Sequence, residues 1–158
     1  MQKKSKWIKN VFIIFSLYFL CINFVVQLFV IKGNSMNPTL KDKDLVFINK
    51  IHYEIFDPKV GDIVGVKTNH NGEIVKRIIA VGGDTVIYKD GKILVNGKEV
   101  TNHNNQFIRD RGDIDYPFLV PENSYFILGD NINESVDSRY QRIGCIEEIN
   151  MIGRIISF

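Results

Sequence analysis

Cysteine, histidine and proline are scarce in this chain of 158 residues, and each scarcity removes a class of explanation. The two cysteines, Cys21 and Cys145, stand in unlike surroundings, one inside a long apolar run and one near the C-terminus. No structural disulfide between them is expected, and cysteine gives no reading of the redox compartment. The three histidines, His52, His70 and His103, fall in unpatterned or turn-rich stretches and are expected at the surface. They show no metal-ligand spacing and no HExxH pattern, so neither a metal centre nor any other cofactor is expected. A basic stripe interleaved with aromatics is missing too, which argues against nucleic acid as a partner. So are internal repeats, low-complexity tracts, a second-domain linker and a convincing amphipathic helix after residue 32.

Acidic residues are absent from the first ten positions, which carry Lys3, Lys4, Lys6 and Lys9. The overall charge of +2 therefore hides two regions: without those lysines, 16 basic residues face 18 acidic ones, a net of −2. With 45% hydrophobic and 24% charged residues the composition is that of a globular protein. The length suits one modest domain plus an anchoring or targeting segment.

Residues 11–31 form an uncharged run in which Ser16, Asn23 and Gln27 are the polar residues. As one helix it would reach about 31 Å, close to a hydrocarbon core of roughly 30 Å. The lysines ahead of it predict a cytoplasmic N-terminus and an outside location for everything after Lys32. A cleavable signal peptide would have a shorter apolar stretch ending in a small-x-small site. Phe29-Val30-Ile31-Lys32 offers none, so an uncleaved anchor is expected. Asn23 and Gln27 would share a helix face, as tolerated polar residues or as a side turned to a partner. The expected organisation is a cytoplasmic basic segment (1–10), a single-pass transmembrane anchor (11–31) and an extracytoplasmic domain (32–158).

That domain reads as mostly β. Stretches 45–49, 63–66, 74–81, 85–88, 93–95, 125–128 and 151–158 are short and rich in branched or aromatic residues. Turn signals separate them, with Asp90-Gly91 and Asn96-Gly97 expected as hairpin turns because both pairs tolerate positive φ. Residues 101–115 are polar and are expected to form a surface excursion. Ile51, Tyr53, Ile55 and Phe56 are expected in the core, with lipid contact as the alternative. An antiparallel, partly barrel-like β domain is the architecture anticipated.

Chemistry concentrates in three places. Ser35 lies in Gly33-Asn34-Ser35-Met36-Asn37-Pro38-Thr39-Leu40, four residues beyond the apolar run. A serine hydroxyl needs a base before it is a useful nucleophile. Lys76 sits in Ile74-Val75-Lys76-Arg77-Ile78-Ile79, where strand alternation puts Ile74, Lys76, Ile78 and Ala80 on one face. Burial between isoleucines would disfavour the ammonium and lower its pKa, making a neutral amine available as general base. Taken alone, a strand lysine is usually a solvated residue or one with a snorkelling stem, so the neighbouring segments have to carry this reading. The third place is Gly129-Asp130-Asn131 followed by Ser135-Val136-Asp137-Ser138-Arg139, where alternate positions put Ser135, Asp137 and Arg139 on one side.

In this order the segments resemble the type I (leader) signal peptidases, Ser/Lys membrane proteases, and in compactness their Gram-positive branch. The matching residues are Ser35-Met36-x-Pro38-Thr39, then Gly61-Asp62-Ile63-Val64, then Lys76 to Asp84, then Gly129-Asp130-Asn131 with Ser135-x-Asp137-Ser138-Arg139. The resemblance implies a signal-peptidase-type β domain with Ser35 as nucleophile and Lys76 as base. Ser135 would orient Lys76, while Asp137, Arg139 and Arg77 brace the site. Ile31, Met36 and Val75 would line the substrate side. It also implies signal-peptide-bearing pre-proteins as substrates, the bilayer as a partner, and the secretion translocase as a further one. Gly33 departs from members that carry a hydroxyl residue there for the oxyanion, and Ile132 stands where an arginine often follows. Two alternatives stay open on the residues alone: a self-cleaving repressor with a Ser/Lys pair, and a catalytically inactive membrane-anchored β protein acting in assembly.

Overall fold

A computed structural model of the chain describes residues 2–69, 72–100 and 106–156, with side chains from residue 7 except those of 20, 21 and 23. The expectations for Cys21, His70 and His103 lie outside the described residues. In chain order the elements are α1 (Gln2–Val25), β1 (Val26–Val30), β2 (Leu45–Asn49), β3 (Ile63–Thr68), β4 (Gly72–Val81) and β5 (Thr85–Lys89). They continue with β6 (Lys92–Val95), β7 (Lys98–Glu99), β8 (Phe118–Leu119), β9 (Ser124–Leu128), β10 (Ile146–Glu147) and β11 (Met151–Ile156). Seven strands form one sheet in the order β1-β2-β11-β3-β4-β9-β10, and four form a second in the order β7-β6-β5-β8. Among the described residues every pairing is antiparallel. The larger sheet ends at β1 and β10, so the partial barrel expected from sequence is an open sheet instead.

The hairpin turns form where expected. Asp90 and Gly91 have φ of 51° and 73°, and Asn96 and Gly97 have 51° and 78°, the conformation a two-residue reversal requires. They connect β5 to β6 and β6 to β7 with partners Lys89↔Lys92 and Val95↔Lys98. Among the described residues three apolar clusters hold the domain. One joins the sheets, packing Val86 and Ile93 of the small sheet against Ile79, Ala80, Phe126 and Leu128 of the large one. A second gathers Ile31, Met36, Leu40, Val46, Ile48, Val75 and Ile155 beneath the loop after β1. The third contains Val64, Val66, Ile78 and Ile127. Each fully buried branched side chain contributes about 1.5–3 kcal/mol relative to exposure.

Three expectations need correction. The apolar run 11–31 is not one helix: α1 ends at Val25 and the next five residues pair with β2 from Val26↔Asn49 to Val30↔Leu45. An apolar run satisfies its backbone either internally or against a strand, and here β2 supplies the partner. The apolar part of α1, residues 11–25, therefore spans about 22 Å, and among the described residues no helix is long and apolar enough to cross a membrane. Gln27 lies in β1, so no helix face is shared with Asn23.

On β4 the register shifts between Ile78↔Ile127 and Ala80↔Phe126, leaving Ile79 as a bulge. Because neighbours on β9 face opposite ways, Ala80 joins the inter-sheet cluster while Ile78 joins the third. Lastly, Ile51, Ile55 and Phe56 are exposed rather than in the core, while Tyr53 is half-buried and donates a hydrogen bond to Asp62.

Candidate active site

The loop between β1 and β2 is built around one tight structure. Gly33 takes φ of 80°, a left-handed conformation that glycine adopts freely, and its N–H donates to Asp42 Oδ1 at 2.7 Å. Met36 and Leu40 drop into the second cluster beside Ile31 and Val75, pulling the turn down on the sheet and leaving Ser35 half-buried at its top. The three residues expected on the substrate side, Ile31, Met36 and Val75, therefore meet in a single apolar group.

Lys76 reaches this loop from β4. Its strand partner is Val64, its side chain is 4% exposed, and its Nζ lies 2.6 Å from Ser35 Oγ. Burial pulls the amine down from 10.5 to about 8, with Asp137 and Asp130 working against the shift and Arg139 with it. Such a shift raises the neutral fraction near pH 7 about 300-fold over an unperturbed lysine. Serine hydroxyl and largely desolvated amine are thus in contact across 41 residues of sequence. The backbone N–H of Ser35 has no acceptor among the described residues and is free to donate to a developing oxyanion.

Adjacent Arg77, on the opposite side of β4, brings the rest of the loop under control. Its Nε and NH2 groups donate to the two oxygens of Asp130 at 2.8 and 2.7 Å, and NH1 donates to the Gly61 carbonyl. Asp130 also accepts from the Thr39 hydroxyl. Next to it, Asn131 donates from its backbone N–H to the Ser35 carbonyl at 2.9 Å and from its side chain to the Asn34 carbonyl at 3.2 Å. Gly129 permits this approach, since a Cβ there would stand 2.3 Å from Ser135 Oγ and 2.4 Å from the Ser35 carbonyl oxygen. Thr39, Asp130 and Asn131 received no role from sequence reasoning. For Asp130 and Asn131 the signal was the polar Gly-Asp-Asn directly after the strand Ser124–Leu128, every residue of which is buried.

Asp137 and Arg139 do pair as expected. Arg139 Nε donates to Asp137 Oδ1 at 2.8 Å, with both side chains almost wholly buried. Asp137 also accepts from the Gly129 N–H at 3.2 Å. Removing one partner of a buried pair leaves an uncompensated charge and costs about 3–5 kcal/mol. Ser135 is buried beside Ser35 across Gly129, but its hydroxyl makes no hydrogen bond among the described residues, to Lys76 or otherwise. His52 is half-buried rather than exposed, packed against the Tyr53 and Phe56 rings at 5.0 and 5.2 Å. Cys145 is a free thiol pushed up to about 11 by burial, away from any nucleophilic role.

A family model for "Signal peptidase, peptidase S26" matches residues 4–158. The chain is 34% identical over 166 aligned positions to signal peptidase IB of Staphylococcus aureus, covering 95% of this chain and 86% of that protein. It is 38% identical over 149 positions to signal peptidase I of Bacillus amyloliquefaciens, covering 87% of this chain and 80% of the other. Among solved structures, a signal peptidase I from Enterococcus faecalis superposes with a TM-score of 0.52 at 28% identity, over 65% of this chain and 99% of that one.

Proposed function

The chain belongs to the signal peptidase family, peptidase S26, and from that premise we propose that it removes signal peptides from pre-proteins with a Ser35–Lys76 dyad at a membrane surface. The observation that carries this reading is the 2.6 Å contact between Lys76 Nζ and Ser35 Oγ. Ser35 Oγ attacks the scissile carbonyl carbon as its proton passes to neutral Lys76. The C–O bond forms while the carbonyl π pair moves to oxygen, facing the Ser35 N–H. Collapse expels the amine of the mature protein, which takes the proton from Lys76 and leaves an acyl-serine. Water, deprotonated by Lys76, then bonds to the acyl carbon, and the ester C–O bond breaks as Ser35 Oγ takes the proton back from the Lys76 ammonium, releasing the signal peptide. Ser135 is suited to orient Lys76 during these transfers. Ile31, Met36 and Val75 are suited to the small apolar side chain on the acyl side of the bond.

The membrane reading rests on exposed apolar surface. Residues Phe12 to Phe15 are exposed at four consecutive positions of α1, which is apolar on every side there. The surface continues onto the domain: Leu28, Val30, Leu45, Phe47 and Ile156 are exposed, and the partners Leu28↔Phe47, Val30↔Leu45 and Ile156↔Phe47 put them on one face. Such a contiguous apolar face calls for a cover, and lipid fits one that continues an apolar helix. We read α1 and this face together as holding the domain against a bilayer surface, with delivery of pre-proteins from the secretion translocase.

The test is cleavage of a purified pre-protein by the full chain in detergent micelles, followed by mobility shift. Ser35→Ala and Lys76→Arg should each abolish processing, the latter because a guanidinium keeps its proton. In the wild type kcat/KM should rise with pH through about 8 as the Lys76 ammonium loses its proton. Processing by either variant, or a flat profile from about pH 6 to 9, would reject the dyad.

A further inference from the structure

Sequence alone makes the polar stretch before residue 116 a surface excursion, yet its described part is tied at both ends. At one end Ile108 N–H donates to the Gly91 carbonyl at 2.8 Å, Tyr88 OH donates to the Ile108 carbonyl at 2.9 Å, and the Phe107 ring lies against Gly91. That end is fixed to the β5–β6 hairpin of the small sheet. At the other end the Asp110 carbonyl accepts from Arg139 NH1 at 2.9 Å, and the Asp113 and Ile114 N–H groups donate to the Arg139 carbonyl at 3.0 and 3.3 Å. Gly112 takes φ of 82° and packs so closely that a Cβ would stand 2.1 Å from the Arg139 carbonyl oxygen. Gln141 N–H donates to Asp113 Oδ1 at 2.6 Å, extending the contact past Arg139.

Arg139 is in turn the hub of the catalytic stretch. Beyond Asp137 its NH2 group donates to the Ile132 and Ser135 carbonyls at 2.7 and 3.0 Å. Every guanidinium nitrogen is thereby satisfied, NH1 among the described residues only by the excursion. We propose that residues 106–116, braced by the β5–β6 hairpin, form a positioning clamp that holds the Ser135–Arg139 stretch behind the dyad, with Gly112 as its point of contact. The small sheet thereby gains a defined role, because its hairpin anchors the clamp.

This inference rests on Lys76 acting as the base. The charged groups acting on Lys76 are Asp130, Asp137 and Arg139. Around Arg139 stand Asp137, Tyr116 and Tyr140, and Asp110 accepts from the Tyr140 hydroxyl at 2.7 Å. Loosening the clamp lets water toward Lys76 and frees the Arg139 cation to move away. Both changes favour the ammonium. Asp137 keeps its bond to the Gly129 N–H and its attraction for Lys76 persists, so the net movement of the Lys76 titration is upward.

The experiment uses the full chain in micelles with 13Cε-labelled lysine, following the Lys76 resonance, assigned by its loss in Lys76→Ala, through a pH titration. Gly112→Ala should raise the Lys76 midpoint by about half a pH unit or more. It should lower kcat about tenfold while KM stays within about twofold. Asp110→Ala, which removes exposed side-chain bonds to Gly112 N–H and Tyr140 OH, should move both in the same direction by less. Cooperatively melting variants with an unchanged Lys76 midpoint overturn the clamp. If Gly112→Ala does not fold, Asp110→Ala decides alone by the same criterion. Because the titration is read without substrate, failure of the wild type to cleave would reject the dyad and still leave the clamp measured.

Discussion

Replacing Lys76 by methionine should destroy activity and make the protein more stable. The unfolded chain holds this proton up to about 10.5, whereas the folded chain releases it near 8. Between those values the unfolded state binds more protons, so wild-type stability rises with pH through the window. Below 8 both states are protonated and the folded state bears the full penalty, about 3 kcal/mol at 1.36 kcal/mol per unit. Methionine keeps an unbranched stem of similar reach and has no charge to desolvate. Part of the gain is offset by the Ser35 hydroxyl losing its partner, a bond worth about 1 kcal/mol. A net gain of roughly 2 kcal/mol at pH 7 corresponds to about 4–8 °C in melting temperature for a chain of this size. Calorimetry of both proteins in the same micelles from about pH 6 to 10.5 checks the sign and the window. The advantage of Lys76→Met should shrink as pH climbs toward the upper limit. A methionine variant less stable than wild type at pH 7, or an advantage independent of pH, would refute the reasoning. Loss of activity together with gain of stability is the expected signature of a strained functional group.

Two further outcomes follow from the same contacts. Gly129→Ala places a methyl group within 2.3 Å of Ser135 Oγ and 2.4 Å of the Ser35 carbonyl oxygen. It should lower kcat by about 100-fold or more, since small displacements of reacting groups cost that much; wild-type kcat in the cleavage assay would show that the loop tolerates the shift. Leu28→Asp with Phe47→Asp charges the centre of the exposed sheet face and should reduce partition of the protein into lipid vesicles, measured by flotation. Unchanged partition would assign the face to some other cover.

Much of the site was legible before folding because the relevant signals are local. Gly33 and Ser35 to Thr39 lie within one turn, and the lysine is flanked by isoleucines on its own strand. Asp137 and Arg139 are two residues apart and pair in the structure at 2.8 Å. The roles of Thr39, Asp130 and Asn131 were not legible, since each depends on a partner 91 to 97 residues away. Ser135 shows the opposite case. Its place beside Ser35 follows the motif, while the expected bond to Lys76 is not formed among the described residues.

Sequence alone located seven of the eleven described strands and the two hairpin reversals, and marked Lys76 as an amine between isoleucines of its own strand. Those features depend on side-chain alternation and on the φ preferences of Asn, Asp and Gly, which neighbouring residues carry with them. Tertiary structure decided that an apolar run becomes helix before Val26 and strand after it, because β2 offers a ladder of backbone partners that no local propensity encodes. It likewise decided that Ile79 bulges and that a polar excursion grips Arg139. Each of these is a competition between distant backbone groups, and a competition of that kind has a winner only once the chain has closed on itself.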